Sequence, residues 1–143
     1  LNREQILTAL RRLGIRVTRQ RLAVAEVLVN ARDHPTAQEV CERARVTLPQ
    51  ISLGTIYNTI GILTNSGFIQ SLSFDEATRY DANLAPHANL VCIRCGAITD
   101  APDEGGGMTD LRERLCSRIG FQAVSQRVDF YGVCARCAAG SGR

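Results

Sequence analysis

Two cysteine pairs of identical spacing constrain this chain more than any other feature: Cys92-Ile93-Arg94-Cys95 and Cys134-Ala135-Arg136-Cys137 both read C-x-x-C. A tight turn between the cysteines of a pair brings both sulfurs inward, and two such pairs supply the four thiolates of a closed, structural, tetrahedral zinc site. The unit that carries both pairs has roughly 60 residues, near the size at which an apolar core alone is marginal and a metal or partner subunit is needed. Arg94 and Arg136, inside the two turns, offset part of the charge of a tetrathiolate. Redox disulfides or packed free cysteines are the competing reading; matched spacing in a chain read as cytoplasmic favours zinc. The other two of the six cysteines, Cys41 and Cys116, lie on or beside apolar helix stripes and are expected as buried structural residues.

At 143 residues, the chain holds one compact domain or two very small ones, which excludes a large multidomain enzyme. Its 45% hydrophobic and 22% charged residues are those of a folded protein. No apolar run approaches the roughly 18 residues of a membrane span, and Leu1 to Arg12 is charged and amphipathic rather than signal-like, so a soluble, cytoplasmic protein with no membrane partner is expected. All 17 basic residues are Arg, and the net charge of +3 is unevenly spread. Residues 1–74 carry nine Arg against five acids, whereas residues 75–143 carry eight against nine.

The basic half is built from helical periods. Ile6, Leu7, Leu10 and Leu13 line one face of a first helix, stopped by Gly14. Thr18 caps a second helix carrying Leu22, Ala25, Leu28 and Val29. Thr36-Ala37-Gln38-Glu39 is a capping box that opens a third, with Ala37, Val40, Cys41 and Ala44 on one face. A fourth, from about Ser52 to Thr64, buries Leu53, Ile56, Ile60 and Leu63 and turns Thr55, Asn58 and Ile62 the other way. Two short strands, Phe68 to Phe74 and Thr78 to Asp81, then flank the turn Asp75-Glu76-Ala77. Helices followed by a hairpin is the order of a winged helix-turn-helix, with an unrelated small helical domain as the alternative.

Residues 83–86 read as a hinge. Beyond it, strands are expected at Asn89–Ile93 and Ala97–Asp100, then a break at Gly105-Gly106-Gly107, a helix with the stripe Met108, Leu111, Leu115 and Ile119, and a last strand alternating from Val124 to Phe130. The fold class is therefore α+β: a winged-helix domain over 1–82, the hinge, and a small α/β domain over 87–143. His34, Asp81, His87, Asn89 and Asp100 are the remaining candidate ligands. Two nitrogens and three oxygens suit a borderline-hard divalent ion such as Fe(II) or Mn(II), and zinc also fits.

Six blocks occur in order that resemble the ferric uptake regulator (Fur) family of metal-dependent repressors. They are Gly14-Ile15-Arg16-Val17-Thr18-Arg19-Gln20-Arg21, His34-Pro35-Thr36-Ala37, Gly54-Thr55-Ile56-Tyr57-Asn58, Arg79-Tyr80-Asp81, His87 through Cys92-x-x-Cys95-Gly96, and Tyr131-Gly132-Val133-Cys134-x-x-Cys137. The resemblance covers nearly the whole chain. It implies a winged-helix DNA-binding domain and an α/β dimerisation domain held by zinc on Cys92, Cys95, Cys134 and Cys137. It also implies a regulatory Fe(II) or Mn(II) site joining the domains, with His34 from the first and His87, Asn89 and Asp100 from the second, and Asp81 at the hinge. Asp100 and Tyr57-Asn58 resemble the peroxide-sensing branch, in which Fe(II) catalyses oxidation of ligand histidines, here His34 and His87. An iron- or zinc-responsive uptake repressor of the same family is the alternative. The sequence departs from the family at Asn89 and at Gln126, where histidines are usual; the first implies weaker metal binding or Asn89 outside the ligand set, and the second argues against an extra metal site.

In this reading the fourth helix enters the major groove with Ser52, Thr55 and Asn58 exposed, Asn58 able to read adenine and Thr55 a thymine methyl. Tyr57, Arg16 and Arg19 contact phosphates, as Arg21 does unless it is an ordinary surface charge. A two-fold homodimer would read an inverted-repeat operator in double-stranded DNA. A zinc or redox enzyme is disfavoured, because four thiolates leave no open coordination position. A zinc-stabilised interaction module without DNA binding is the third class.

Overall fold

A computed structural model describes residues 1–74 and 77–140. Asp75 and Glu76, in the expected hairpin turn, lie outside the described residues. The chain divides into two compact units, Leu1–Leu84 and Ala85–Arg143.

The first unit holds four helices and a hairpin: α1 (Arg3–Arg12), α2 (Arg19–Asn30), α3 (Ala37–Ala44), α4 (Leu53–Asn65), β1 (Gln70–Phe74) and β2 (Ala77–Asp81). Each helix starts where a side chain satisfies an otherwise orphaned backbone N–H: Asn2, Thr18, Thr36 and Ser52 are the four N-caps. Thr36 and Glu39 form the full reciprocal capping box. Ile6, Leu10, Leu22, Val24, Leu28, Val40, Ile56, Leu63 and Ile69 make one continuous core. Leu13, expected on the buried face of α1, is exposed, because the helix has already closed there and Leu13 is its C-cap. The strands β1 and β2 pair antiparallel from Gln70↔Asp81 to Phe74↔Ala77.

The second unit has β3 (His87–Cys92), β4 (Ile98–Pro102), α5 (Gly107–Ser117), β5 (Val128–Gly132) and α6 (Ala135–Ala139). Its sheet has the order β4-β3-β5, with β3 antiparallel to β4 and parallel to β5. The last strand begins at Val128 rather than Val124, for a reason set by its partner: Val128 pairs with Ala88, and β3 starts only one residue earlier. The alternating residues before it have no neighbouring strand to pair with in that register. Gly105 and Gly106 both take positive φ, a conformation that side chains resist, in the turn that starts α5. Asp103 fastens that start by accepting from the Met108 and Thr109 N–H groups and the Thr109 hydroxyl. The helix buries none of its residues: Leu111, Leu115 and the following Ile119 are exposed, and Cys116, expected in a core, is only half-buried. Among the described residues no helix is long and apolar enough to cross a membrane.

Candidate metal centres and nucleic-acid face

The parallel pairing of β3 and β5 gathers the cysteines. Parallel neighbours end on the same side of a sheet, and Cys92, the last residue of β3, is in register with Gly132, the last of β5. The Ile93 N–H donates to the Gly132 carbonyl at 2.8 Å, which holds the two exit turns side by side. Cys92, Cys95, Cys134 and Cys137 consequently place their sulfurs within 4.8 Å of one another. The Cys95 and Cys134 sulfurs are 3.8 Å apart. Four Zn–S bonds of about 2.3 Å at tetrahedral angles give sulfurs about 3.8 Å apart, so the cluster fits a zinc-like ion closely.

The surroundings favour thiolate. The Cys134 N–H donates to Cys92 Sγ at 3.3 Å. That bond, with a further N–H from Cys95, lowers the Cys92 thiol to about 6. Cys95 is lowered by the Ala97 N–H and by the Arg136 guanidinium, while Cys137 is pushed up to about 12 by its neighbouring sulfurs, Cys134 foremost. Thiolate is favoured at Cys92 and Cys95 and resisted at Cys137; a divalent cation removes that conflict. Arg136 faces Cys95, in keeping with its place inside the turn, whereas Arg94 donates to the Cys137 carbonyl at 3.2 Å and so braces the second turn.

The other candidate ligands form two imidazole–carboxylate pairs, one within each unit. In the first unit His34 Nε2 lies 3.8 Å from Asp81 Oδ2, with both side chains about 95% buried (4% and 5% exposed). His34 takes φ of +50°, a left-handed conformation that costs a non-glycine residue about 1–3 kcal/mol and recurs at functional sites. The β2 strand holds it there: Arg79 donates to the His34 carbonyl at 3.1 Å, and the Tyr80 N–H donates to the Pro35 carbonyl at 3.0 Å. Asp81 Oδ1 accepts from the Asn83 N–H at 2.7 Å. In the second unit His87 Nδ1 is 2.7 Å from the Ala85 carbonyl, which can only accept, so Nδ1 is the donor and Nε2 is the nitrogen turned toward the carboxylate. That Nε2 lies 3.7 Å from Asp100 Oδ1. Both nitrogen–oxygen separations exceed a hydrogen bond and are of the order found between two ligands of one ion.

Asn89 belongs to the second pair's row. It is paired across the sheet with Asp100 on β4 and with Asp129 on β5, and residues directly opposite one another share a sheet face. His87, two residues earlier, is on that face too. Asn89 is 2% exposed; its Nδ2 donates to Asp129 Oδ1 at 3.0 Å, and its Oδ1 has no donor among the described residues. Leaving a buried amide oxygen so costs about 1–3 kcal/mol unless a donor or a cation serves it. Asp129 and its partner Arg127 are neighbours of this row that the sequence reading misses. Their only signal is the i, i+2 spacing of opposite charges in an alternating segment.

On the nucleic-acid side, Ser52, Tyr57 and Asn58 are exposed at the start and along the outer face of α4, and Thr55 is half-buried. Ser52 is occupied in capping, its hydroxyl accepting from the Thr55 N–H at 3.1 Å. Arg16, in the loop before α2, and Arg19, the first residue of α2, are both exposed, whereas Arg21 donates to the Arg16 carbonyl at 2.9 Å and so shapes that loop.

A helix-turn-helix with a β-hairpin, followed by a thiolate-bearing α/β unit, and two imidazole–carboxylate pairs, one buried and one half-buried, define a metal-binding, DNA-binding repressor. Residues 12–131 match the ferric uptake regulator family, and the chain belongs to that family of metal-responsive transcriptional regulators, which are not enzymes. It is 32% identical over 136 residues to the peroxide-responsive repressor PerR of Staphylococcus epidermidis, covering 94% of this chain and 89% of that one. It is 33% identical over 137 residues to the peroxide operon regulator of Bacillus subtilis, covering 94% and 92%. The crystal structure of the Campylobacter jejuni peroxide stress regulator superposes with a TM-score of 0.76 at 25% identity, covering 94% of this chain and 97% of that one.

Proposed function

We propose that this protein is a homodimeric repressor that senses peroxide through Fe(II), with zinc as a structural ion and Mn(II) as an unreactive substitute at the sensor. Zinc is held by Cys92, Cys95, Cys134 and Cys137, and the sensor by His34, Asp81, His87, Asn89 and Asp100. The observation that carries the reading is the division of the sensor residues into two imidazole–carboxylate pairs, His34 with Asp81 and His87 with Asp100, in separate compact units. Ligands drawn from both units restrict their relative orientation, so occupancy biases the form that fits DNA, and the bias equals the difference in metal affinity between forms. The likeness to the peroxide regulators supports peroxide as the signal.

Fe(II), when bound, would supply one-electron cleavage of peroxide. In the net reaction peroxide oxidises a ligand imidazole by two electrons, one peroxide oxygen bonding to a ring carbon whose hydrogen moves to that oxygen or to a ring nitrogen, and the other leaving as water, with no net change in the iron. His34 and His87 are the imidazoles in reach of that chemistry. Oxidised, either ring is a poorer nitrogen donor, its pair no longer holds the ion, and the units are released. The DNA face uses Ser52, Thr55 and Asn58 toward bases and Arg16, Arg19 and Tyr57 toward phosphates of an inverted-repeat operator in double-stranded DNA. The exposed stripe of α5, with Leu90 and Phe130 open on the sheet, is the surface a second copy would cover.

The test is mass spectrometry of the His34- and His87-containing peptides after peroxide treatment of the Fe(II) and Mn(II) forms, with operator binding measured on the same samples. A one-oxygen adduct confined to the iron form, with loss of DNA binding, is expected. No adduct in either form overturns peroxide sensing, and zinc in both sites assigns the protein to zinc response instead.

A further inference from the structure

We propose that Asp129 locks the Asn89 amide so that its oxygen is a ligand of the sensor ion, and that this fixed oxygen biases the sensor toward Mn(II) and Fe(II) and against Zn(II). The inference rests on the sensor reading above and adds to it a positioning residue and a basis for selectivity.

The lock follows from hydrogen-bond valence. An ionised carboxylate only accepts, so the side of the Asn89 amide that faces Asp129 must be the NH2. Arg127 holds the carboxylate in turn, with Nε donating to Asp129 Oδ1 at 3.0 Å and the guanidinium pairing with Oδ2 at 2.7 Å. Turning the amide over would press its oxygen against the Asp129 oxygen and lose the 3.0 Å bond. The amide oxygen is thereby committed to the other side, where no donor among the described residues meets it although Asn89 is 2% exposed. Such an orphaned acceptor is rare in a folded protein and marks a place for a cation. Asp100 stands opposite Asn89 on one side as Asp129 does on the other, and His87 shares the face.

Selectivity follows from donor type. An amide oxygen is a neutral, hard donor, suited to Mn(II) and Fe(II), whereas a nitrogen at the same place strengthens Zn(II) more than Mn(II). Asp129 acts through Asn89. Groups that orient a ligand in this way commonly alter metal affinity by about 10- to 100-fold when changed.

The experiment uses the full-length dimer with its cysteine site filled by zinc. Mn(II) and Zn(II) are titrated into the second site of the parent protein and of Asn89→Ala, Asp129→Asn, Asn89→His and the double swap that combines Asn89→Asp with Asp129→Asn, and Co(II) absorption bands report the ligand set. Asn89→Ala and Asp129→Asn should each weaken Mn(II) by about 10-fold or more and change the Co(II) bands. The swap restores binding, because the amide transferred to β5 then donates to the carboxylate transferred to β3, and an oxygen still faces the ion. Asn89→His should shift the Zn(II)-to-Mn(II) affinity ratio toward zinc by at least about 10-fold. Mn(II) binding that is lost in His87→Ala but unchanged in Asn89→Ala and Asp129→Asn overturns this proposal and leaves the sensor reading intact. Failure of the swap to recover binding, in a protein with full zinc content and an unchanged melting profile, also overturns it. No second-site binding in the parent overturns the sensor reading itself.

Discussion

Removing zinc should unfold the second unit and spare the first. Among the described residues of the second unit only Ala88, Asn89, Val91 and Cys92 are fully buried. The three apolar ones together contribute no more than about 6 kcal/mol by area. Helices α5 and α6 bury none of their residues. Thiolate coordination of structural zinc contributes about 10–16 kcal/mol of folding free energy in small domains, against a typical total stability of about 5–15 kcal/mol. The metal term therefore decides whether the unit folds. The first unit has its own core, in which Ile6, Leu10, Val24, Val40, Ile56 and Leu63 are 0% exposed and none is a metal ligand. Once zinc is chelated or Cys134→Ser is introduced, far-UV circular dichroism should show a smaller starting signal and one remaining melting transition, that of the first unit. Hydrogen exchange should then find residues 87–139 unprotected while α2, α3 and α4 keep their protection. Unchanged melting after verified zinc removal, or collapse of both units together, would refute this reasoning.

Thr36→Ala removes the acceptor for the Glu39 N–H and should cost about 1 kcal/mol in urea unfolding of the first unit. Asn58→Ala should lose about 1–3 kcal/mol of discrimination between operator and mutated operator. Arg19→Ala should weaken all DNA sequences alike and reduce the salt slope by about one, as gel-shift titrations over a salt series would measure. The Asp103 carboxyl is held below its ordinary value, first by the Met108 N–H and then by Thr109. A lowered folded value means that the cap stabilises α5 fully above the unfolded value of about 3.9 and is lost as pH falls through the folded one. Protection of the Met108 and Thr109 amides relative to their intrinsic exchange rates should accordingly be full above about pH 3.9 and be lost as pH falls below it, and in Asp103→Ala it should be absent throughout.

The parts of this fold that sequence conveys are those set by local chemistry. Thr36 and Glu39 cap α3 because a hydroxyl and a carboxylate three residues apart meet the same turn, whatever surrounds them. The C-x-x-C pairs disclose a four-sulfur cluster because spacing alone turns each pair inward. What depends on a distant strand is not legible in that way. Val124 to Arg127 alternate like a strand, yet the strand starts at Val128 because β3 ends the available pairing. His34 reads in sequence as an ordinary residue before a helix cap, and its left-handed backbone follows from Arg79 and Tyr80, more than forty residues away, holding the His34-Pro35 carbonyls.

Asn89 carries this distinction furthest. Its residue type announces an amide but not which end of it faces the centre, and the two ends have opposite chemistry, since oxygen can bind a cation and an NH2 cannot. The choice is made by Asp129, brought alongside by parallel pairing 40 residues later in the chain. A departure that reads in sequence as the loss of a ligand is, with Asp129 and Arg127 in place, an oxygen set in one orientation. On the proposed sensor, affinity for the ion would in this way depend on the β3–β5 pairing, and the same pairing aligns Cys92 with Gly132 beside the four-sulfur cluster. Zinc loss should therefore disorder the Asn89 amide as well, and Mn(II) affinity at the second site should fall with zinc occupancy at the first.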